Sequence, residues 1–228
     1  MRCPKCQLSM TWDANVYKCL SCGQEIEREI SHNGWTKKKL MAFEEDIENE
    51  FLAAKIRAPV HLSRGNENQL IKIFQQIKDT DWVFSNHRSH YHALLHGIPA
   101  EWLKEQILLG RSMHINSKEH CFMTSSIVNG CVPIAVGVAM ALKRKGSTKS
   151  VWCVVGDMAA SVGSFYENAK YAFRNDLPIK FVIEDNGFST NTPTEEAWGE
   201  CSGKARIIRY VYEREYPHIN VNSWVQFQ

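Results

Sequence analysis

The clearest hydrophobic pattern lies between Val151 and Ser189. An apolar run, VWCVV, ends at Gly156-Asp157, an amphipathic stretch follows over about Gly163–Arg174, and a second apolar run ends at Asp185-Asn186-Gly187. Short apolar runs bounded by turn residues read as buried strands, and the helical period between them reads as a crossover. The pattern thus predicts a strand–helix–strand unit with a polar residue at the carboxyl tip of each strand. Leu40, Met41, Phe43, Ile47, Phe51 and Leu52 recur at helical spacing and predict a helix over Thr36–Ile56, with its lysines and glutamates on the solvated face. A further helix is expected after Glu67. Another opens at Pro133 and runs over Ile134–Lys143, its missing N–H costing nothing in the first turn. Ile208, Tyr210 and Tyr212 alternate as in a strand that Pro217 ends, and Ser31-His32-Asn33-Gly34 reads as a linker. The prediction is an α/β domain over residues 31–228 preceded by a small module over residues 1–30.

The composition narrows the class. At 228 residues with 44% hydrophobic content, the chain can bury a sizeable core. A net charge of +2 gives no push toward nucleic acid or a membrane surface. No apolar run approaches the ~20 residues that span a bilayer. The start, MRCPKCQ, lacks the apolar region of a secretory signal, so a cytoplasmic protein is expected. Eight cysteines in that setting point to metal or thiols rather than disulfides. Cys3 and Cys6, then Cys19 and Cys22, form two CxxC pairs with 12 residues between them. Two such knuckles can bring four thiolates to one Zn²⁺ at about 2.3 Å in a closed, structural site. Thr11–Tyr17 would be the hairpin between them, and residues 1–30 read as a zinc ribbon.

In open parallel sheets, ligands bind outside the carboxyl ends of the strands. Asp157 and Asn186 both stand there, and two oxygen-bearing side chains suit Mg²⁺ together with a phosphate. The spacing of Gly-Asp, 28 intervening residues and Asn-Gly resembles the thiamine diphosphate fingerprint. More closely, GDMAASVGSFYENA is similar to the alpha subunits of 2-oxo acid and acetoin dehydrogenases, with Met158, Ser161 and Asp185 departing from the usual residues. His61-Leu62-Ser63-Arg64-Gly65-Asn66-Glu67, then His87-Arg88-Ser89-His90, then Gly110-Arg111-Ser112-Met113-His114, then Ser126–Pro133 resemble further motifs of those subunits in the same order. The resemblance implies a doubly wound, mostly parallel sheet. It implies that Asp157, Asn186 and the carbonyl of Phe188 hold Mg²⁺. It implies that Gly156, Asp157, Met158, Ala159, His87, Arg88, Ser126 and Val128 contact thiamine diphosphate, and that His61, His90 and His114 serve catalysis. Arg88 offers the rigid donor fork that suits a phosphate. His92 and His96 read as packing or surface residues, Glu167 on its helix as a buried-interface or structural residue, and Cys153 as a small buried hydrophobe.

The resemblance also implies a reaction: decarboxylation of a 2-oxo acid followed by acyl or aldehyde transfer. The family's activating Glu comes from a separate pyrimidine-binding beta chain, so an alpha–beta heterotetramer is expected. Relatives continue into a further active-site loop with a histidine. No counterpart is read here, and His218 receives no role. The competing reading is a non-catalytic zinc-ribbon scaffold or nucleic-acid adaptor on a degenerate cofactor fold, which Met158, Ser126 and Arg111 favour. Retained Asp157, Asn186, His61 and the His-Arg-Ser-His run favour the enzyme.

Overall fold

The computed structural model describes residues 2, 5–7, 9, 11–13, 16–23, 25–27, 30–198, 207–221, 223, 225 and 226. Cys3 and Cys201 lie outside the described residues. The amino-terminal part holds three antiparallel strands, β1 (Thr11–Asp13), β2 (Val16–Lys18) and β3 (Glu25–Glu27). Thr11 pairs with Lys18 and Asp13 with Val16, which is the hairpin expected between the cysteine pairs. The segment read as a linker is instead a small hairpin, β4 (Ser31–His32) with β5 (Trp35–Thr36). Its turn residues Asn33 and Gly34 both take positive φ, 48° and 78°, as tight hairpin turns demand. Asn33 then donates to the Leu95 carbonyl at 3.1 Å, which ties the hairpin to the main domain.

Helix α1 (Lys37–Leu52) starts at Thr36, whose side chain accepts from the Lys39 amide. Then follow α2 (Glu67–Phe74), β6 (Trp82–Ser85), α3 (His90–Leu95), α4 (Ala100–Leu108), β7 (Asn116–Ser117), β8 (Phe122–Thr124) and α5 (Cys131–Arg144). The second half runs β9 (Val151–Gly156), α6 (Asp157–Ala160), α7 (Gly163–Arg174), β10 (Ile179–Asp185), β11 (Phe188–Ser189), β12 (Thr192–Pro193), α8 (Thr194–Trp198) and β13 (Ile207–Val211). Six strands form one sheet in the order β13-β10-β9-β6-β8-β7, and every pairing is parallel except β7 with β8.

Period-2 alternation divides this sheet between two cores. Val83, Trp152, Val154 and Val182 face the layer of α1 to α4. Phe84, Val151, Cys153, Val155, Phe181 and Ile183 face the layer of α5 and α7. The register places Phe84, Cys153 and Phe181 side by side across three strands. Cys153 is fully buried, as expected of a small hydrophobe. Helix α5 approaches this face with Ala135, Val136 and Ala139, small residues that let helix and sheet come close. Helices on both faces of a mostly parallel sheet make the fold doubly wound. The chain leaves β6 for β8 on one side and returns through α5 to β9 on the other. The order therefore reverses between β6 and β9, and their carboxyl ends flank a crevice.

Under α1 the core holds a carboxyl group. Glu44 is fully buried, and both of its oxygens accept from the Ser63 amide at 2.9 Å. Burial, countered only in part by that amide, pushes it up to about 8. In the unfolded chain the same group ionises near 4.5. Between those values the folded state binds the extra proton, so this group's contribution to stability is present below pH 4.5 and is lost as pH rises through 8. Urea denaturation of the wild type and of Glu44→Gln at pH 5, 6.5 and 8 should show the difference shifting against the wild type as pH rises. The shift should approach about 1.4 kcal/mol per pH unit. A difference that stays flat over this range would mean that Glu44 does not carry a proton in the fold.

Candidate functional site

Three strand tips and two loops build the crevice. At the tip of β6, the Asn86 side-chain oxygen accepts from the Arg88 amide at 2.7 Å, a local turn that fixes the start of the His87-Arg88 pair. The Arg88 guanidinium then donates to the His218 carbonyl at 3.1 Å. At the tip of β9, Gly156 is still extended and Asp157 opens the short helix α6. Asp157 is buried, and its carboxylate accepts from the Thr194 hydroxyl. Burial raises its pKa, with the negative charge of Asp185 adding to the shift. At the tip of β10, Asp185 pairs with Arg209 of the neighbouring strand. Asn186 accepts from the Phe188 amide at 3.0 Å and donates to the Tyr212 hydroxyl at 3.3 Å. Gly187, at φ 71°, supplies the left-handed turn into the β11–β12 hairpin.

These tips enclose a cavity of about 270 Å³. His61, His87, Arg88, Ser126, Val128, Gly156, Asp157, Met158, Ala159, Asn186 and Phe188 all line it. The apolar lip is open to solvent, with Ile127 74% and Val128 68% exposed. Two donors in the wall have no partner within the described protein. Nε2 of His87 and Nε of Arg88 are buried and make no hydrogen bond. A buried donor left in this state calls for an acceptor.

Glu184 forms the floor. It accepts from Asn66 at 3.1 Å, from Asn86 at 3.0 Å, from Tyr210, and from Nε2 of His92 at 3.1 Å. Burial works against its charge, yet His92, Tyr210 and Asn86 outweigh burial and hold the carboxyl below its usual range. His92 in turn meets the Ser85 hydroxyl at 2.6 Å. His92 is thus buried and hydrogen-bonded at both ring nitrogens beneath the cavity, and His96 is buried with its Nε2 on the Asp81 carbonyl at 3.1 Å.

Above the floor stand three histidines. His61 and His87 have ring centroids 4.6 Å apart, and His218 lies 5.2 Å from the first and 5.8 Å from the second. Burial, helped by Arg88 and the other rings, pushes His61 down to about 3. Burial and the neighbouring His61 do the same to His87. His218 is also lowered, first by burial and then by Arg88. All three rings are neutral near pH 7.

Two of the expected catalytic residues stand elsewhere. His90 does not line the cavity. As the first residue of α3 it turns into the core, wholly buried, with Nε2 2.9 Å from the Ser112 hydroxyl and Nδ1 3.8 Å from Glu44. His114 stands exposed at the rim, 3.2 Å from the Ser126 hydroxyl. Glu167, expected in a buried-interface or structural role, is exposed on α7 of this single chain. Conversely, His218, Tyr212 and Glu184 line the cavity without having been read from the sequence. The only signal for His218 was its type, since its position depends on the return of the carboxy-terminal segment. Asn220 secures that return through two hydrogen bonds to Val60, of 2.7 and 3.2 Å. Gly65 secures it by close approach, since a Cβ there would meet the Glu213 carbonyl at 2.3 Å.

In the amino-terminal part, sulfur atoms of Cys6, Cys19 and Cys22 lie within 4.8 Å of one another, with Cys6 and Cys19 3.4 Å apart. The Cys22 amide holds the Cys19 thiol down to about 6, with Cys6 adding to the effect. Among the described residues, no helix is long and apolar enough to cross a membrane.

Comparison with known proteins finds relatives of this chain. The alpha subunit of acetoin:2,6-dichlorophenolindophenol oxidoreductase from Bacillus subtilis is 29% identical over 176 residues, 72% of this chain and 53% of that protein. Its counterpart from Cupriavidus necator is 31% identical over 160 residues, 66% of this chain and 48% of that protein. The alpha subunit of the pyruvate dehydrogenase E1 component from Porphyra purpurea is 29% identical over 178 residues, 66% and 52% of the two chains. The chain thus spans about half the length of these relatives. The family model of the dehydrogenase E1 component matches residues 36–220, which takes in the whole sheet and every wall of the cavity, and the chain belongs to that family.

Proposed function

We propose that this chain is the diphosphate- and Mg²⁺-binding alpha subunit of a two-chain thiamine diphosphate enzyme that decarboxylates a 2-oxo acid and passes on the acyl or aldehyde group. The observation that carries the reading is the facing of opposite chemistries across one crevice. A buried carboxylate and an amide oxygen sit at the tips of β9 and β10, and the unpartnered donors of His87 and Arg88 sit at the tip of β6. Asp157, Asn186 and the Phe188 carbonyl offer oxygens suited to Mg²⁺. His87 and Arg88 offer charge-assisted or neutral N–H donors to a phosphate. The donor set fits the group, because Asp157 has no cationic partner among the described residues while the donors opposite lack acceptors. Thiamine diphosphate supplies the nucleophilic carbon and the electron sink of the reaction. The protein side of the work falls to this chain's own residues. Ser126 and Val128, which line the cavity, would meet the aminopyrimidine ring through their backbone. His61, neutral and facing the cavity, donates to or accepts from the bound 2-oxo acid.

A second chain completes the unit. The relatives are named as alpha subunits, and the apolar lip of Ile127 and Val128 stands uncovered beside the cavity. A beta chain on this lip would supply the activating Glu and give an alpha–beta heterotetramer. Both transfer to lipoamide and carboligation are compatible with this reading. The reading of residues 1–30 as a structural zinc ribbon is supported by the cluster of Cys6, Cys19 and Cys22.

Isothermal titration of the chain with its partner gives the direct test. Asp157→Ala should weaken Mg²⁺-dependent thiamine diphosphate binding at least roughly tenfold and abolish turnover, while the assembly stays intact. Unchanged binding would remove Asp157 from the metal shell. The zinc reading is tested separately by elemental analysis. At least one zinc per chain is expected, and a strong chelator should remove it and unfold residues 1–30 without melting the α/β domain. Zinc-free protein with an unchanged amino-terminal fold would overturn it.

A further inference from the structure

We infer that His61, His87 and His218 form a site for one divalent transition-metal ion of the zinc or cobalt class, distinct from the oxygen ligands assigned to Mg²⁺. One ring nitrogen from each lies within 4.8 Å of the other two. In a tetrahedral site with metal–nitrogen bonds of 2.0–2.1 Å, ligand nitrogens stand roughly 3.3 Å apart, so a small swing of the rings closes the set. Two nitrogens of this group, Nδ1 of His61 and Nε2 of His87, are buried without any hydrogen bond. His61 is only 5% exposed. Imidazole selects zinc, copper, iron and nickel-type ions over Mg²⁺, which prefers oxygen.

Charge around the site favours an ion with an anionic fourth ligand. Arg88 faces the rings and opposes a cation, but its guanidinium is drawn to the His218 carbonyl at 3.1 Å. Glu184 beneath His87 supplies the compensating negative charge, through Asn86. Three protein ligands leave the fourth position to hydroxide or to a carboxylate entering the cavity. The ligands come from the loop before α2, the tip of β6 and the segment after β13. An ion there would staple residues 212–221 to the cavity wall, a contact otherwise made by Asn220 on Val60 and by Gly65 against Glu213. The inference does not rest on the cofactor reading and concerns the cofactor-free chain, because Nε2 of His87 cannot bind the ion and donate to a diphosphate at the same time.

Titration of the metal-free full chain with Co²⁺, followed by visible absorption, tests it. The expected result is one equivalent with the ligand-field bands of nitrogen coordination, separate from the thiolate charge-transfer bands that the cysteine cluster would give. His218→Ala, on a half-buried ring outside the sheet, and His61→Gln should each lower the affinity of that equivalent at least roughly tenfold with unchanged circular dichroism. Asp157→Ala, which strikes the Mg²⁺ shell, should leave it untouched, so failure of the cofactor reading and failure of this one are told apart. Absence of nitrogen-type bands overturns the inference. So does their persistence at full affinity in both histidine variants, and so does their loss in Asp157→Ala.

Discussion

The site rests on one buried carboxylate. Glu184 takes four hydrogen bonds from Asn66, Asn86, His92 and Tyr210, which come from the loop before α2, the tip of β6, helix α3 and strand β13. Each partner is separately drawn into position by the same charge. Removing one member of such a buried network leaves the others desolvated and unpaired, at a cost of about 1–3 kcal/mol per group. Tyr210 also accepts from Asn66 at 3.0 Å, so the donors brace one another as well as the acid. The position of Asn86 decides the direction of Arg88, and that of Arg88 decides where His218 can rest. A single charge at the end of β10 thus sets the geometry of a cavity whose ligands lie one shell further out.

The sheet explains why these groups meet at all. Parallel strands send all their carboxyl ends to one edge, and reversal of the order between β6 and β9 opens a crevice there. Asp157 and Asn186 follow adjacent strands in register, with Val155 opposite Ile183 and Gly156 opposite Glu184. Their side chains therefore start from neighbouring points. Asp185 pairs with Arg209 of the edge strand and does not line the cavity, although its charge still reaches Asp157.

Local signals in the sequence were sufficient for what local structure decides. The apolar runs around Cys153 and Val182, the helical period of α7 and the tip positions of Asp157 and Asn186 all follow from periods of two and 3.6 residues. His90 shows where such reading ends. It lies in the same short run as His87, but the start of α3 turns one ring to the cavity and the other to Glu44 in the core. Glu184, Tyr212 and His218 were invisible for a different reason. Their partners are 98 residues away for Asn86 and Glu184, and 130 for Arg88 and His218. No periodicity spans such separations. The Asn33-Gly34 turn was legible as a break, but only its link to Leu95 makes it part of the main domain.

The three histidines sharpen the chemistry of the cavity. A cationic imidazole beside Arg88 would add repulsion in a partly closed space, and burial already disfavours the charge. The cavity therefore meets an incoming anion with one fixed positive group, Arg88, and with neutral rings that donate or accept without bringing charge. The lip is apolar and exposed at Ile127 and Val128, while the floor is fully hydrogen-bonded to Glu184. A polar floor, a single cation in the wall and an open apolar rim together make a half-built enclosure. Its polar contacts are set within the chain. Folding of this domain rests on the two-sided core and on Glu184, and the exposed apolar rim of Ile127 and Val128 takes no part in that core.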